Sequence, residues 1–190
     1  CVFFGCSSLS HLVVASGNTT FDSRSNCNAI IETASNTLIA GCKNTVIPGS
    51  VTAIGGGAFA QCSCPSSVMI PNSVISIGDY AFMRCQHLTH ASLPNSLTAI
   101  SNYMFCECSA LTNINIPETV TSIGKRAFYR CSELTNLNIP SGVDSIGDEA
   151  FSGCTNLTGT FIIPNGITAI SDSAFVDCTQ LEQIFIPNTV

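Results

Sequence analysis

The chain has 190 residues, of which 45% are hydrophobic and only 9% charged, and its formal net charge is −6. This negative balance argues against nucleic acid as a partner, because nucleic acid binds to basic surfaces. No apolar run reaches the roughly 20 residues that cross a bilayer, so no membrane insertion is predicted within this segment.

Residues 1–16 form a partial repeat, because Phe3 and Cys6 occupy positions that recur throughout the chain. A basic segment followed by an apolar one, which would predict a signal peptide, is not found. The sequence also stops within a repeat, whereas solenoids normally carry polar caps at both ends. We therefore expect a fragment of a longer protein, with any export signal or anchor outside it.

Residues 17–47 interrupt the period and form an irregular repeat. Two apolar segments, residues 28–33 and 37–42, lie on either side of Ser35 and Asn36, which predicts a β-hairpin. We expect the hairpin to stay in the solenoid, lying across it or replacing its convex segment. Cys27 and Cys42 flank the hairpin, and their pairing stays open because their register is offset.

From residue 48 to residue 190 the sequence repeats every 23 residues, with one step of 24. Each repeat has a proline after an aliphatic residue, then a phenylalanine, and a cysteine three residues after the phenylalanine. A period in this range is typical of solenoids, so residues 1–190 are predicted to form one elongated domain of stacked coils. The longer step contains Gly159 in an extra position, which predicts a β-bulge there.

One repeat, residues 111–133, illustrates the predicted unit. The apolar pattern over residues 111–116 favours a short strand that ends at Pro117, because proline cannot donate to a strand ladder. Residues 120–123 return to the core in an extended or 3₁₀ conformation, and residues 127–131 have the spacing of a single helical turn. Stacked units would form a right-handed coil, with short parallel strands on one face and short helical turns or 3₁₀ segments on the other.

The run I-P-x-x-V-x-x-I-G-x-x-A-F-x-x-C-x-x-L-T resembles the BspA-type leucine-rich repeat, and the match covers nearly the whole chain. The irregular segment 27–48 also resembles a variant unit of such proteins. The resemblance implies a leucine-rich-repeat solenoid in a cell-surface or secreted protein of gut or oral bacteria or of protozoan parasites. It further implies adhesion, with proteins or glycans of the host extracellular matrix or of another microbial surface as partners. It carries over no catalytic motif.

Twelve cysteines could indicate a disulfide framework, but their spacing argues otherwise. Stacked side chains point the same way from neighbouring coils, with Cβ atoms at or beyond the ~4.5 Å limit for a bridge. Free cysteine also packs well as a small hydrophobic residue. The sequence therefore predicts a reduced, buried column. Its members are Cys6, Cys62, Cys85, Cys108, Cys131, Cys154 and Cys178.

Two groups of polar residues suggest metal or acid–base chemistry. Cys85, His87 and His90 carry donors that zinc accepts, but they belong to a buried column, a turn and a strand face and should diverge. Asp148 and Asp172 stack as a calcium site or a glycosidase pair would require. Their position before the predicted helical turn is instead that of a helix N-cap.

A third group is basic. Lys125, Arg126 and Arg130 gather on one convex turn and could bind a sulfated glycan or an acidic partner. Three basic residues with acidic neighbours more often form an ordinary solvated surface. No nucleophile, base and orienting group can be assembled anywhere, so the sequence predicts no catalytic residue, no cofactor and no metal site.

The outward positions of the strands form the candidate binding surface, because solenoids bind along extended faces. The first row contains Ser67, His90, Asn113, Asn136, Thr160 and Gln183, and the second contains Met69, Ser92, Asn115, Asn138, Ile162 and Phe185. The sequence thus favours a non-catalytic binding or adhesion module that engages a protein or glycan through this face. The alternative is a structural spacer or stalk, in which these polar side chains solvate the sheet and asparagine ladders steady it.

Overall fold

The computed structural model describes residues 3–61 and 64–190. Within these residues the regular elements are thirteen short strands and one 3₁₀ helix, Arg24–Asn26. The strands are β1 (Phe21–Asp22), β2 (Ala29–Glu32), β3 (Thr37–Gly41), β4 (Ala53–Ile54), β5 (Ser67–Met69), β6 (Ser76–Ile77), β7 (His90–Ser92), β8 (Ala99–Ile100), β9 (Asn113–Asn115), β10 (Ser122–Ile123), β11 (Ser145–Ile146), β12 (Gly159–Ile162) and β13 (Leu181–Phe185).

Two ladders of parallel strands run along the molecule. The first contains β5, β7 and β9, continues through a bridge between Asn113 and Asn136, and resumes in the pair β12–β13. The second contains the two-residue strands β8, β10 and β11, in which Ile100, Ile123 and Ile146 are in register. Successive coils therefore stack in parallel, which confirms the predicted solenoid.

The segment around each phenylalanine is a run of turns instead of the predicted helical turn. Arg126 and Arg130 have φ values of +50° and +55°, which a right-handed helix does not allow. The amide of Phe128 donates to the carbonyl oxygen of Ala150 in the next coil, at 2.8 Å. Alternate amides thus join neighbouring coils, whereas a helix would use them internally.

The core contains a continuous stack of phenylalanine rings. Consecutive ring centroids are 5.0–5.7 Å apart, and the ring planes are nearly parallel. The stacked residues are Phe59, Phe82, Phe105, Phe128, Phe151 and Phe175. The first five are at most 1% exposed, so each ring packs against its equivalents in the adjacent coils.

The irregular repeat forms an antiparallel hairpin of β2 and β3, to which β1 adds a third strand. β3 pairs in parallel with β4, with Leu38 opposite Ile54. The hairpin therefore joins the solenoid through β4, which pairs in turn with β6, so that these five strands form one sheet. At the other end of the chain, the register between β12 and β13 shifts between Gly159 and Thr160, at the glycine for which the sequence predicts a bulge.

Two members depart from the predicted reduced, buried column, and a third, Cys62, lies outside the described residues. Cys6 is an exposed free thiol. Cys85 forms a disulfide with Cys64. Their Cα atoms are 5.5 Å apart, a normal separation for a bridge. Cys64 lies outside the column, so it can approach Cys85 from a direction that a stacked column neighbour cannot take. Cys27 and Cys42, whose pairing the sequence leaves open, are both buried free thiols.

Candidate functional site

Strand geometry fixes the direction of the candidate side chains. In β5, β7 and β9 the outer two residues are exposed and the central one is buried, because side chains alternate along a strand. All twelve candidate residues occupy exposed positions: Ser67, His90, Asn113, Asn136, Thr160, Gln183, Met69, Ser92, Asn115, Asn138, Ile162 and Phe185. Their role in binding stays a prediction.

A ladder of threonine hydroxyls supports the first row. Each hydroxyl donates to a backbone carbonyl oxygen of the preceding coil, at 2.8–3.3 Å. The four residues are Thr89, Thr112, Thr135 and Thr158. Sequence reasoning missed this ladder, although a threonine directly before the strand recurs in these repeats. The ladder holds neighbouring coils together beside the exposed face.

The centre of the strand face retains unused hydrogen-bonding capacity. The side-chain amides of Asn113, Asn115 and Asn138 make no hydrogen bond to any residue in the described part of the chain, and that of Asn136 only approaches Thr135 Oγ1, at 3.4 Å. The asparagine ladders considered at the sequence level are therefore not formed among these residues. Each amide carries two donor hydrogens and an acceptor oxygen that face solvent.

Apolar side chains lie at both ends of the same face. Met69 is 78% exposed at one end, and Ile162 and Phe185 are 62% and 57% exposed at the other. Ile162 and Phe185 are direct partners in the β12–β13 pairing, so they form one patch. Val46, which sequence reasoning did not single out, is 72% exposed and lines a 350 Å³ groove together with Met69.

The basic turn is largely neutralised by its neighbours. Lys125 Nζ lies 3.7 Å from Asp148 Oδ2, and Arg126 Nη2 lies 2.6 Å from Glu149 Oε1. The guanidinium of Arg130 stacks over the ring of Tyr129, with 5.1 Å between its central carbon and the ring centroid. These contacts give the cluster a structural role within the convex edge.

The predicted N-cap role of Asp148 and Asp172 is wrong, because a run of turns and not a helix follows each of them. The equivalent residue Asp79 accepts a hydrogen bond from the backbone amide of Asn102, one coil later, at 3.1 Å. Asn102 Oδ1 in turn accepts from the amide of Lys125 at 2.9 Å. Side chains at this position can therefore cap an amide of the following coil.

The zinc-like group does not assemble. Cys85 is held in a disulfide, whereas His87 and His90 are exposed. Across residues 3–61 and 64–190, no group of three or more histidine, cysteine or acidic side chains could hold a metal ion. The same residues include no helix long and apolar enough to cross a membrane.

Comparison with protein families identifies the repeat. The BspA type leucine-rich repeat region matches residues 35–158 and 110–190, in six copies. The chain belongs to this family. No curated protein matches the sequence significantly.

Solved structures of leucine-rich repeat proteins resemble this BspA type chain. The T. pallidum leucine rich repeat protein is 25% identical, with a TM-score of 0.69 over 92% of this chain and 82% of its own. A leucine rich cell surface protein of Faecalibacterium prausnitzii is 30% identical, with a TM-score of 0.63 over 97% of this chain. The pneumococcal vaccine antigen PcpA shares the fold, at 23% identity and a TM-score of 0.64 over 94% of this chain.

This chain spans only 43% of the F. prausnitzii protein and 39% of PcpA. The F. prausnitzii protein is described as a cell surface protein. Repeats of this family generally form a non-enzymatic scaffold for protein interaction. No catalytic family is indicated by the comparisons.

Proposed function

We propose that this chain is a binding and adhesion module of a surface-exposed or secreted protein, and that it engages a partner protein through the strand face. One observation carries the proposal. The side-chain amides of Asn113, Asn115 and Asn138 project from an exposed, strand-supported surface without hydrogen bonds to any described residue. A partner that supplies polar groups can satisfy them without breaking contacts in this chain.

The rigidity of the face favours binding. Parallel strand pairing and the threonine ladder fix the backbone beneath the asparagines. A surface that is already ordered loses less conformational entropy when a partner docks. Only the asparagine side chains themselves need to be immobilised.

The apolar ends supply anchors that a polar strip lacks. A few residues, often aromatic ones, contribute most of the binding energy in many interfaces. Phe185 is an exposed aromatic residue, and it forms an apolar patch with Ile162. Met69 lies five coils from Phe185, a span of roughly 24 Å at the spacing of paired strands. An extended segment of about seven residues could cover this distance.

The similarity to a protein described as a leucine rich cell surface protein supports the surface location. The excess of acidic over basic residues favours a partner that is neutral or basic. Fibrous matrix proteins are therefore the partners to test first. A glycan partner is a separate outcome of the same test.

The test is direct binding of the chain to an array of extracellular-matrix proteins, mucins and glycans. The wild-type chain is compared with an Asn115→Arg/Asn138→Arg double variant, which places two bulky cations on the strand face. A Ser141→Arg/Asn165→Arg variant is the matched control, since it adds the same charge at two exposed bend residues.

A partner whose affinity falls at least about tenfold in the strand-face variant, and about threefold or less in the control, would support the proposal. Equal binding by all three proteins would place the contact elsewhere. Absence of any partner for the folded chain would favour the structural spacer instead.

A further inference from the structure

A second surface lies on the turn edge, the row of equivalent residues that begins with Gly57, Tyr80, Tyr103 and Arg126. The rings of Tyr80 and Tyr103 stack with centroids 4.7 Å apart and planes inclined by 19°. Beyond them, the guanidinium carbon of Arg126 lies 5.9 Å from the centroid of Tyr103. A cation thus covers one end of a two-ring stack.

The contacts of Arg126 show that a guanidinium group packs on this surface. Its guanidinium also lies 5.0 Å from the centroid of Tyr129, and its Nη2 pairs with Glu149 at 2.6 Å. Its Nε makes no hydrogen bond to any described residue. Two aromatic faces and one carboxylate therefore hold the group, as expected for a cation over the negative face of an aromatic ring.

The other end of the stack is open. Gly57 occupies the position equivalent to Tyr80 one coil earlier and carries no side chain. A pocket of 380 Å³ lies here, lined by Tyr80 with Gly57, Ala60, Met83 and other residues. No ring or cation in the described part of the chain stacks on the outward face of Tyr80, which is 42% exposed.

The pocket has a negatively charged group at its rim, which would attract a cation. Asp79 lines the rim, and its carboxylate is exposed. The bonds of this carboxylate within the described residues go to the backbone amide and side-chain amide of Asn102, and it forms no ion pair with them. The remaining lining residues, Phe4 and Gly56, add no charged side chain.

We propose that this pocket binds an arginine side chain of a partner protein, with its guanidinium stacked on the outward face of Tyr80 and paired with Asp79. The guanidinium would occupy the place that Arg126 takes at the other end of the stack. This site lies on the turn edge and does not rest on the proposed role of the strand face. A neutral ligand of the same shape would gain at most a hydrogen bond from the carboxylate, without the ion pair, and little from the charge of the ring face.

The test uses two short peptides, acetyl-Gly-Arg-Gly-amide and the same peptide with citrulline in place of arginine. Citrulline keeps the planar shape and length of arginine but has no charge. Nuclear magnetic resonance of the chain follows the ring signals of Tyr80 during titration with each peptide. The arginine peptide should bind about 3–30-fold more tightly than the citrulline peptide, with shifts centred on Tyr80 and Met83.

Gly57→Arg should fill the pocket from within the chain and abolish these shifts. Positions equivalent to Gly57 tolerate side chains at positive φ, since Tyr80, Arg126 and Ser173 have φ values of +62°, +50° and +56°. Ser173→Arg is the matched control, because it adds the same residue to the same row without a tyrosine stack beside it, and it should bind like wild type.

Asp79→Asn should weaken binding of the arginine peptide more than binding of the citrulline peptide, because only the arginine peptide loses an ion pair. Equal affinity of the wild-type chain for the two peptides would overturn the proposal. So would the absence of shifts at Tyr80 with either peptide, or unchanged binding in folded Gly57→Arg. The wild-type comparison decides the matter even if a variant fails to fold.

Discussion

The thiol of Cys131 donates a hydrogen bond to the backbone carbonyl oxygen of Phe105, one coil earlier, with 3.1 Å between sulfur and oxygen. The same contact recurs at 3.0–3.2 Å in three other coils. These pairs are Cys108 with Phe82, Cys154 with Phe128, and Cys178 with Phe151. The cysteine column therefore links adjacent coils as well as filling space beside the phenylalanine stack.

Replacement of Cys131 by alanine should remove both contributions. The lost hydrogen bond and the small cavity left by the sulfur should together lower the free energy of unfolding by about 1–3 kcal/mol. Denaturant unfolding of the variant measures the loss. Cys6→Ala at an exposed position serves as control and should change the value by about 0.5 kcal/mol or less. Equal effects of the two substitutions would show that the thiol contact is not stabilising.

The same burial should make the buried thiols chemically inert, both in the column and beside it. Burial raises the pKa of Cys106 to about 11 and raises the pKa of Cys131 well above that of a free thiol. The thiolate is the reactive form, so iodoacetamide at pH 8 should modify Cys6 in the folded chain and leave Cys106 and Cys131 unmodified. Mass spectrometry of the digested protein measures this. Rapid labelling of Cys131 without denaturant would contradict its buried position.

Sequence reasoning succeeded wherever one residue type recurs with a fixed direction. The outward positions of β9 follow from strand alternation alone, so Asn113 and Asn115 could be assigned to the exposed face. The stack around Phe128 follows from the period, because equivalent residues of stacked coils must meet. Both features can be predicted from the length of the repeat and from the alternation of side chains along a strand.

The remaining features depend on contacts between coils that a single repeat does not reveal. Positive φ at Arg126 is not signalled by its residue type, so the apolar spacing around it suggested a helical turn. The bridge from Cys64 to Cys85 depends on an off-column position. The pocket beside Tyr80 arises from a missing side chain at Gly57, which matters only once the neighbouring coil is in place.

The phenylalanine stack predicts a large effect of truncation. Phe128 is fully buried between the rings of Phe105 and Phe151, each 5.7 Å away. Phe128→Ala should lower the free energy of unfolding by about 3–5 kcal/mol, because it removes a buried aromatic ring and leaves a cavity. Calorimetry and denaturant unfolding both measure this. A loss below about 1 kcal/mol would mean that the ring does not contribute to the core in solution.

Gly41 should be intolerant of any side chain. A Cβ atom added there would lie 2.0 Å from Cε1 of Phe59, where the hairpin packs on the start of the ring stack. Gly41→Ala should therefore destabilise the chain by about 1–3 kcal/mol through overpacking. Gly49→Ala is the control, because nothing lies within 4 Å of the added atom. Thermal unfolding should separate the two, and equal melting temperatures would show that the hairpin does not pack on Phe59.

The hairpin should also respond to acid through Asp22. The carboxylate lies 2.6 Å from Arg24, which holds its pKa at about 2, and Arg24 Nη1 also donates to Asn36 Oδ1 at 2.7 Å. Because the pKa is lower in the folded state, the stabilisation is fully present above pH ~4 and is lost as the pH falls towards ~2. Both side chains are partly exposed, so solvent weakens the ion pair. Asp22→Asn should therefore lower the free energy of opening of the hairpin by about 1–2 kcal/mol at pH 7.

Hydrogen exchange of the β2 and β3 amides measures this loss locally, since coils of a solenoid can open separately. The free energy of opening of the hairpin should differ between wild type and Asp22→Asn by a constant amount from pH 5 to pH 7. This difference should become smaller at pH 2.5. Lys43→Gln is the control, because it also removes one charge but belongs to no ion pair in the described part of the chain. A difference that stays constant down to pH 2.5 would show that the charge of Asp22 does not stabilise the hairpin.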